Sequence, residues 1–189
     1  LGSRSTHLRT GLGGLDGRNL IAGNMLTLGA TAALELRTLG LPWFRRPGAI
    51  RVVPGPQDNY FDRETWTTFT SAPFTVTTSR DRMAMVLDGP SLTAAKGHDI
   101  ISDATVVGSI QVPGSGKPIV LSADGQTTGG YPKIATVASV DLARLAQMPS
   151  GQNFRFKTIS ADAAEDLFID EQKRLADVLV YGSIASISF

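Results

Sequence analysis

The chain has 189 residues, 42% of them hydrophobic and 19% charged, enough apolar sequence to bury the core of one ordinary domain or of a domain with an appendage. Eighteen Lys and Arg against seventeen Asp and Glu leave a net charge of +1, so no global field draws the chain to nucleic acid or to an anionic membrane, and binding has to come from a local site. Cysteine is absent and histidine occurs only as His7 and His98, which removes thiolate chemistry and disulfides and argues against a histidine-rich metal site, so no metal is expected in this chain.

No run of 18 apolar residues and no basic-then-apolar leader occurs, so neither a membrane span nor a signal peptide is indicated, and a cytoplasmic protein is expected. Residues 1–29 hold seven glycines, too many for a helix at about 1 kcal/mol for each interior glycine. They read as turns with one short strand at 25–28. Arg4, Arg9 and Arg18 punctuate this segment, either as solvated loop cations or as the lining of an anion site. Residues 31–39 carry helix formers in too short a stretch to assign.

From residue 47 the pattern turns to strands. Residues 50–53 are β-branched and stop at Pro54-Gly55-Pro56, where proline removes donors and fixes φ. Residues 62–69 open on Asp62 and place Trp66 and Phe69 three apart, which predicts two helical turns. Strands follow at 75–79 and 83–87, broken by the charged Arg80-Asp81-Arg82, in which an Arg82–Asp81 ion pair is expected. Further strands are expected at 100–101, 106–112, 118–123 and 134–140, with Pro113-Gly114-Ser115-Gly116 as a hairpin turn.

A short helix follows residue 141, capped by Asp141 or Ser139, and a strand covers 154–159. Ser160 then caps a helix over 161–179 whose Leu167, Phe168, Leu175, Val178 and Leu179 form one apolar, core-facing stripe. Residues 181–189 fit either an edge strand or a tail. Many short strands with Gly/Pro turns and few helices predict a mainly β barrel or sandwich.

The chemistry concentrates between residues 124 and 133, a polar glycine loop between two apolar strands. Gly125, Gly129 and Gly130 permit positive φ and a concavity of backbone N–H groups, and Thr127 and Thr128 add hydroxyls. Asp124 offers an acceptor or a base, and Lys133 a compact cation. The set suits a small polar ligand with an anionic group and an amide; equally, it describes a structural glycine turn with Lys133 in solvent. It is not a Walker loop, because the lysine follows the glycines at the wrong spacing and leads into a strand. Gln111 stands in an apolar strand, opposite Ile110 and Val112 by alternation, and needs partners if buried. Arg82 can clamp a carboxylate, while His98 beside Asp99 reads as a loop residue.

Five segments also carry a resemblance. Val52-Val53-Pro54-Gly55-Pro56-Gln57-Asp58, Asp81-Arg82-Met83, Gly108-Ser109-Ile110-Gln111-Val112-Pro113, Gln126-Thr127-Thr128-Gly129-Gly130-Tyr131-Pro132-Lys133-Ile134-Ala135 and the opening Leu1-Gly2-Ser3-Arg4-Ser5-Thr6 with Gly11-Leu12-Gly13-Gly14 resemble the allophanate hydrolase subunit 2 family. That family is also known as the C component of 5-oxoprolinase, or as biotin-dependent carboxyltransferase-like. The likeness runs from residue 1 to about 160. It implies a cyclophilin-like β-barrel with two or three short helices and a C-terminal helix, in a 41–189 domain. Residues 1–40 would be a glycine-rich segment continuing an N-terminal half that family members carry and this chain lacks.

The resemblance further implies work with a B-like partner (allophanate hydrolase subunit 1), and with the A component of 5-oxoprolinase, to open 5-oxoproline to glutamate using ATP held at the level of the complex. In that reading Asp124 and Lys133 are catalytic, and Arg82, Gln111, Gln126, Thr127, Thr128, Gly129, Gly130 and Tyr131 bind a small amide. Two alternatives follow from the same family: a carboxyl transfer from carboxybiotin to urea or a similar amide, and a non-catalytic antagonist of a kinase inhibitor. Three positions depart from the family pattern, Arg80, Asn24 and Gly125, the last inside the presumed site.

Overall fold

A computed structural model describes residues 4–29 and 48–180, with side chains through residue 176. The chain divides into two compact units, Leu1–Leu36 and Arg37–Phe189. In the first, strands β1 (Thr6–His7) and β2 (Leu12–Gly13) pair antiparallel. The glycine density of this unit is explained at Gly17, whose φ of 65° and close approach to the Gly11 carbonyl leave no room for a Cβ. Arg18 is held locally by Asp16 and the Asn24 side chain. The strand expected at 25–28 does not form: Met25 and Leu28 are exposed, and no strand among the described residues lies alongside to pair with them. The stretches 31–39 and 181–189 lie outside the described residues.

The second unit is mainly β. Its strands are β3 (Ile50–Pro54), β4 (Phe74–Arg80), β5 (Ala84–Asp88), β6 (Asp103–Ala104), β7 (Ser109–Gln111), β8 (Ile119–Leu121), β9 (Thr128–Gly129), β10 (Lys133–Val137), β11 (Asn153–Phe154) and β12 (Phe156–Thr158). Among the described residues three helices accompany them, α1 (Arg63–Ser71), α2 (Ser139–Ala146) and α3 (Ala161–Val180), with one 3-10 turn at Asp58–Tyr60. Eight strands form one sheet in the order β11-β4-β5-β8-β7-β10-β3-β12, antiparallel except for β12 on β3. Its two edge strands are consecutive in the chain, separated only by Arg155. The segment 153–158 therefore pairs with β4 through Phe154↔Phe74 and with β3 through Phe156↔Ile50, bringing the sheet almost to closure as a barrel. The Arg155 carbonyl seals the seam by accepting from Ile50 N at 2.8 Å. Closure of this kind leaves few strand groups unpaired.

Alternation along β3, β4 and β5 sends Ile50, Val52, Phe74, Val76, Met85 and Leu87 inward. α1 begins at Asp62, whose carboxylate accepts from Thr65 N at 2.8 Å, and delivers Phe69 into the barrel. There Phe69 stacks on Phe156 at 4.5 Å between ring centroids, with Phe74 and Phe154 packed around the same ring. α3 starts as expected, with Ser160 Oγ accepting from Ala163 N at 3.1 Å. Its apolar stripe is only partly covered, for Leu167 and Leu175 are half-buried and Phe168 is exposed. No helix among the described residues is long and apolar enough to cross a membrane.

Three local expectations are corrected. The strand expected over 106–112 is reduced to β7, because Ser109 Oγ accepts from Val106 N and Gly108 adopts φ 89°, which turns the chain before the sheet begins. No strand forms at 100–101; Ile100 N donates instead to the Gly130 carbonyl. The strand expected over 134–140 ends at Val137, and α2 begins at Ser139 behind Ala138, which offers no side-chain cap.

Neither Ser139 nor Asp141 is the cap of α2. Asp141 is fully buried and accepts from Arg51 N, Nε and Nη2, each at 2.8 Å, and from Arg144 Nη1 at 2.9 Å. Burial pushes its carboxyl up, but the hydrogen bonds from the Arg51 side chain and backbone and the charges of Arg51 and Arg144 outweigh that and hold it below the usual carboxylate range. At the other end of α2 the Arg80 guanidinium donates to the carbonyls of Ala146 and Met148, a cation at a helix C-terminus.

Asp141→Asn strands Arg51 and Arg144 beside a neutral amide and is expected to cost about 3–5 kcal/mol, read as a lower urea midpoint. Because the folded-state value of Asp141 lies below the unfolded one of about 3.9, its contribution is complete above that pH and is lost as pH falls through the folded value. Acid titration of the urea midpoint should therefore be steeper below about pH 4 in the wild type than in Asp141→Asn.

Candidate functional site

β7 and β10 lie side by side, with Lys133 opposite Gln111. The register then slips, so that Ala135 faces Ile110 and Ile134 is the extra residue of a β-bulge. Opposed residues share a face and neighbours alternate, so Lys133 and Gln111 lie on the side of the wall away from Ile110 and its core partners. Both are nonetheless buried to 1% exposure. A second, two-stranded strip covers them: β6 pairs with β9 through Asp103↔Gly129 and Ala104↔Thr128.

The strip fits tightly. A Cβ on Gly129 would overlap the Gln111 amide nitrogen, which explains glycine there by close approach. Gly125, Gly129 and Gly130 are not among the residues with positive φ, so the expected nest of N–H groups is not built. Gly125 is also sterically confined, since its Cβ would lie 3.0 Å from the Ser122 carbonyl and 3.1 Å from that of Met83.

Lys133 Nζ approaches Asp103 Oδ2 at 3.1 Å, an ion pair by distance whose angle does not make an aligned hydrogen bond. The same oxygen accepts from Gln57 Nε2 at 3.0 Å, and Asp103 Oδ1 accepts from Ala104 N at 2.8 Å. Gln57 Oε1 accepts from Lys133 N at 3.2 Å, so one amide side chain ties the lysine backbone to the carboxylate beside the ammonium. Gly55 makes this possible, because a Cβ there would overlap the Lys133 carbonyl. The Gln57 amide, then the Lys133 ammonium, then the Ala104 N–H hold the Asp103 carboxyl below its ordinary value, so it is ionised at neutral pH. Gln111 Oε1 accepts from Gln126 Nε2 at 3.2 Å, while Gln111 Nε2 has no partner. Of the two buried donors, Lys133 Nζ has the Asp103 carboxylate as its ion-pair partner, short of an aligned hydrogen bond, whereas Gln111 Nε2 has none, and an unsatisfied buried polar group costs roughly 1–3 kcal/mol.

Of the residues singled out in the sequence, Gln111, Gln126, Gly129 and Lys133 come together here. Arg82 pairs with Asp124 and not in the expected way with Asp81: its Nε and Nη2 meet the two Asp124 oxygens at 2.6 and 3.0 Å, while Asp81 Oδ1 accepts from Met83 N and Ala84 N. This pair stands at the base of the loop with 78% and 41% of its side chains exposed. Thr127, Thr128 and Tyr131 are exposed; the Thr127 carbonyl accepts from Thr105 N, and the Gly130 carbonyl accepts from Ile100 N. Gln57 and Asp103 were not singled out. Gln57 closes the Pro54-Gly55-Pro56-Gln57 turn, which was a usable signal, whereas nothing local marks Asp103.

His98 Nδ1 is buried without a partner. A cavity of about 680 Å³ beside the C-terminal end of α2 contains none of these groups, and its arginines are engaged, Arg144 with Asp141 and Arg155 with the Ser71 carbonyl. No cluster of three or more His, Asp or Glu side chains suited to a metal occurs among the described residues.

The fold is a nearly closed eight-stranded barrel with a roofed Lys–Gln–Asp cluster on its wall, and its class is that of the carboxyltransferase domains. The family described as carboxyltransferase domain, subdomain A and B, matches residues 1–158, and the chain belongs to that family. It is 36% identical over 173 residues to the C component of 5-oxoprolinase from Escherichia coli (strain K12), covering 92% of this chain and 56% of that protein. It is 27% identical over 198 residues to the urea amidolyase of Lachancea kluyveri, covering 88% of this chain and 10% of that protein. The crystal structure of the Kluyveromyces lactis urea carboxylase superposes with a TM-score of 0.79 at 24% identity, over 99% of this chain and 19% of that one, which establishes the shared fold. The chain thus spans a little over half of the length of the 5-oxoprolinase component it matches.

Gly129→Ala forces the Gln111 amide out of place in a close-packed contact and is expected to cost about 1–3 kcal/mol in chemical denaturation. Gly130→Ala, whose Cβ would meet nothing nearer than the Ile100 carbonyl at 3.5 Å, should fall within about 0.5 kcal/mol of wild type.

Proposed function

We propose that this chain is the barrel portion of a protein of the 5-oxoprolinase C type and takes part, with a B-like partner and an A-like protein, in the ATP-dependent opening of 5-oxoproline to glutamate. The observation that carries the reading is the pair of buried, unaligned donors on neighbouring strands, Lys133 Nζ and Gln111 Nε2, within a family whose relatives include the C component of 5-oxoprolinase. Such donors polarise an amide carbonyl by stabilising charge as it grows on oxygen, and they act most strongly where water is excluded. Gln126 fixes the Gln111 amide through its Oε1. Asp124 and Arg82, with Thr127, Thr128, Gly130 and Tyr131, make the exposed loop beside the cluster and meet the rest of the substrate.

The glycine loop does not fit a nucleotide triphosphate, since Gly125 and Gly129 are crowded by neighbouring groups and none of its three glycines takes the positive φ that an N–H nest uses. On this reading a partner protein binds the ATP. Similarity to urea amidolyase favours a second reading, transfer of a carboxyl group from a biotin-bearing polypeptide to urea or a related amide, with the same two donors on the amide oxygen.

The test is reconstitution with the B-like and A-like proteins. Lys133→Met should reduce ATP-dependent glutamate formation at least 100-fold, the usual loss for one donor to a developing oxyanion. Asp124→Asn, at an exposed pair, should reduce it less than tenfold. Glutamate formation unchanged by Lys133→Met removes the proposal, and labelled carboxyl transfer to urea in the presence of a biotin carrier, without glutamate formation, replaces it by the second reading.

A further inference from the structure

Lys133 and Gln111 are buried by a cover that is itself nowhere buried. Residues 100–105 and 126–131, which contain β6 and β9, are each half-buried or exposed, and none of them belongs to the apolar core of the barrel. Ile101, beside β6, is 95% exposed. The backbone hydrogen bonds of the two segments run between them: β6 pairs with β9, Ile100 N donates to the Gly130 carbonyl and Thr105 N donates to the Thr127 carbonyl. Among the described residues no backbone hydrogen bond joins either segment to the eight-stranded sheet, of which β6 and β9 form no part. The polar ties of this strip to the wall are made by side chains alone, Asp103 with Gln57 and Lys133, and Gln126 with Gln111.

A unit whose backbone bonds are satisfied internally, with no apolar anchor and a few polar ties, leaves its support at a lower free energy than the support unfolds. The two ends of the strip are fixed. Val106 N donates to Ser109 Oγ at 3.1 Å, and Gly108, at φ 89°, leads into β7; on the other arm the Pro132 carbonyl accepts from Val112 N at 3.0 Å. We propose that the β6–β9 strip is a lid that opens as one piece about these two points and is latched shut by Asp103. One carboxylate meets both the Gln57 amide and the Lys133 ammonium across the gap, whereas the other tie is a single neutral hydrogen bond, so the latch lies at Asp103. Opening carries this carboxylate away with β6 and bares the ammonium and the Gln111 amide, which the closed lid keeps at 1% exposure. The inference rests on the function proposed above, because a substrate meets these two groups only when the lid is open. Asp103 is then a positioning residue that sets how often that happens.

Opening is read on the full 189-residue chain by acetylation with dilute acetic anhydride at neutral pH, following Lys133 and the exposed Lys117 by peptide mass mapping at urea concentrations below the unfolding transition. In wild type Lys133 is expected to react about 100-fold more slowly than Lys117, at a rate that changes little with urea, because opening a lid exposes far less surface than unfolding the barrel. Asp103→Asn should raise the Lys133 rate about tenfold or more and leave that of Lys117 unchanged. Gln57→Leu, which cuts the same latch without removing a charge, should move Lys133 in the same direction. A Lys133 rate that climbs with urea at the full slope of global unfolding overturns the lid, as does a rate equal to that of Lys117, and the wild-type series decides this however the variants fold. Rates equal to wild type in both variants overturn the role of Asp103. None of these readouts involves turnover, so glutamate formation by Lys133→Met judges the proposed function separately.

Discussion

The structure depends on one six-residue segment serving as both edges of the same sheet. Because residues 153–158 pair with β4 on one side and with β3 on the other, eight short strands of marginal individual stability enclose a shared interior. Phe154 and Phe156 sit on this segment, so the residues that close the barrel also supply much of its aromatic core, against Phe69 from α1 and Phe74 from β4. The buried Asp141 reinforces the seam from outside by binding the backbone and side chain of Arg51, the residue that follows Ile50 on β3. Closure and ion pair act at the same strand, and both fix where β3 lies relative to β10.

That placement is what the site uses. β3 runs into the Pro54-Gly55-Pro56-Gln57 turn, and Gly55 lets the turn lie on β10 closely enough for Gln57 to reach Lys133 N and Asp103. The bulge at Ile134 rephases β10 so that Lys133 shares a face with Gln111. The roof of β6 and β9 then excludes water from both. Lys133 is enclosed by neighbouring parts of the chain, and its ammonium lies in surroundings where charge is weakly screened. The Gln111 amide nitrogen left without a partner is a local cost that the closed barrel sustains.

The loop of residues 124–133 takes on a different character in this setting. Its glycines serve close packing, not an anion nest, and its first acidic residue is neutralised by Arg82 at the surface. The buried polar groups lie at the end of the loop, at Lys133, and outside it, at Gln111. Surface ion pairs such as Arg82–Asp124 contribute little to stability, so this one matters chiefly for holding the loop base together.

Much of this fold was legible in the sequence. A β-branched run placed β3, alternation placed β4, and apolar runs placed β5 and β8; Asp62 and Ser160 marked two helix starts; and the motif around residues 126–135 marked the segment that contains Lys133 and Gln126. These features are local, set by the pleat, by backbone donors at a helix N-terminus and by the steric limits of proline and glycine. What only the tertiary structure decided are contacts between distant residues. Gln57 and Lys133 are 76 positions apart and Arg51 and Asp141 are 90 apart, and no local pattern distinguishes Asp141 as a core ion from Asp141 as a cap, or marks Asp103 at all. A one-residue bulge reverses which face a strand side chain occupies, so whether Lys133 points to solvent or under a roof is settled by sheet register and closure, not by the residues that flank it.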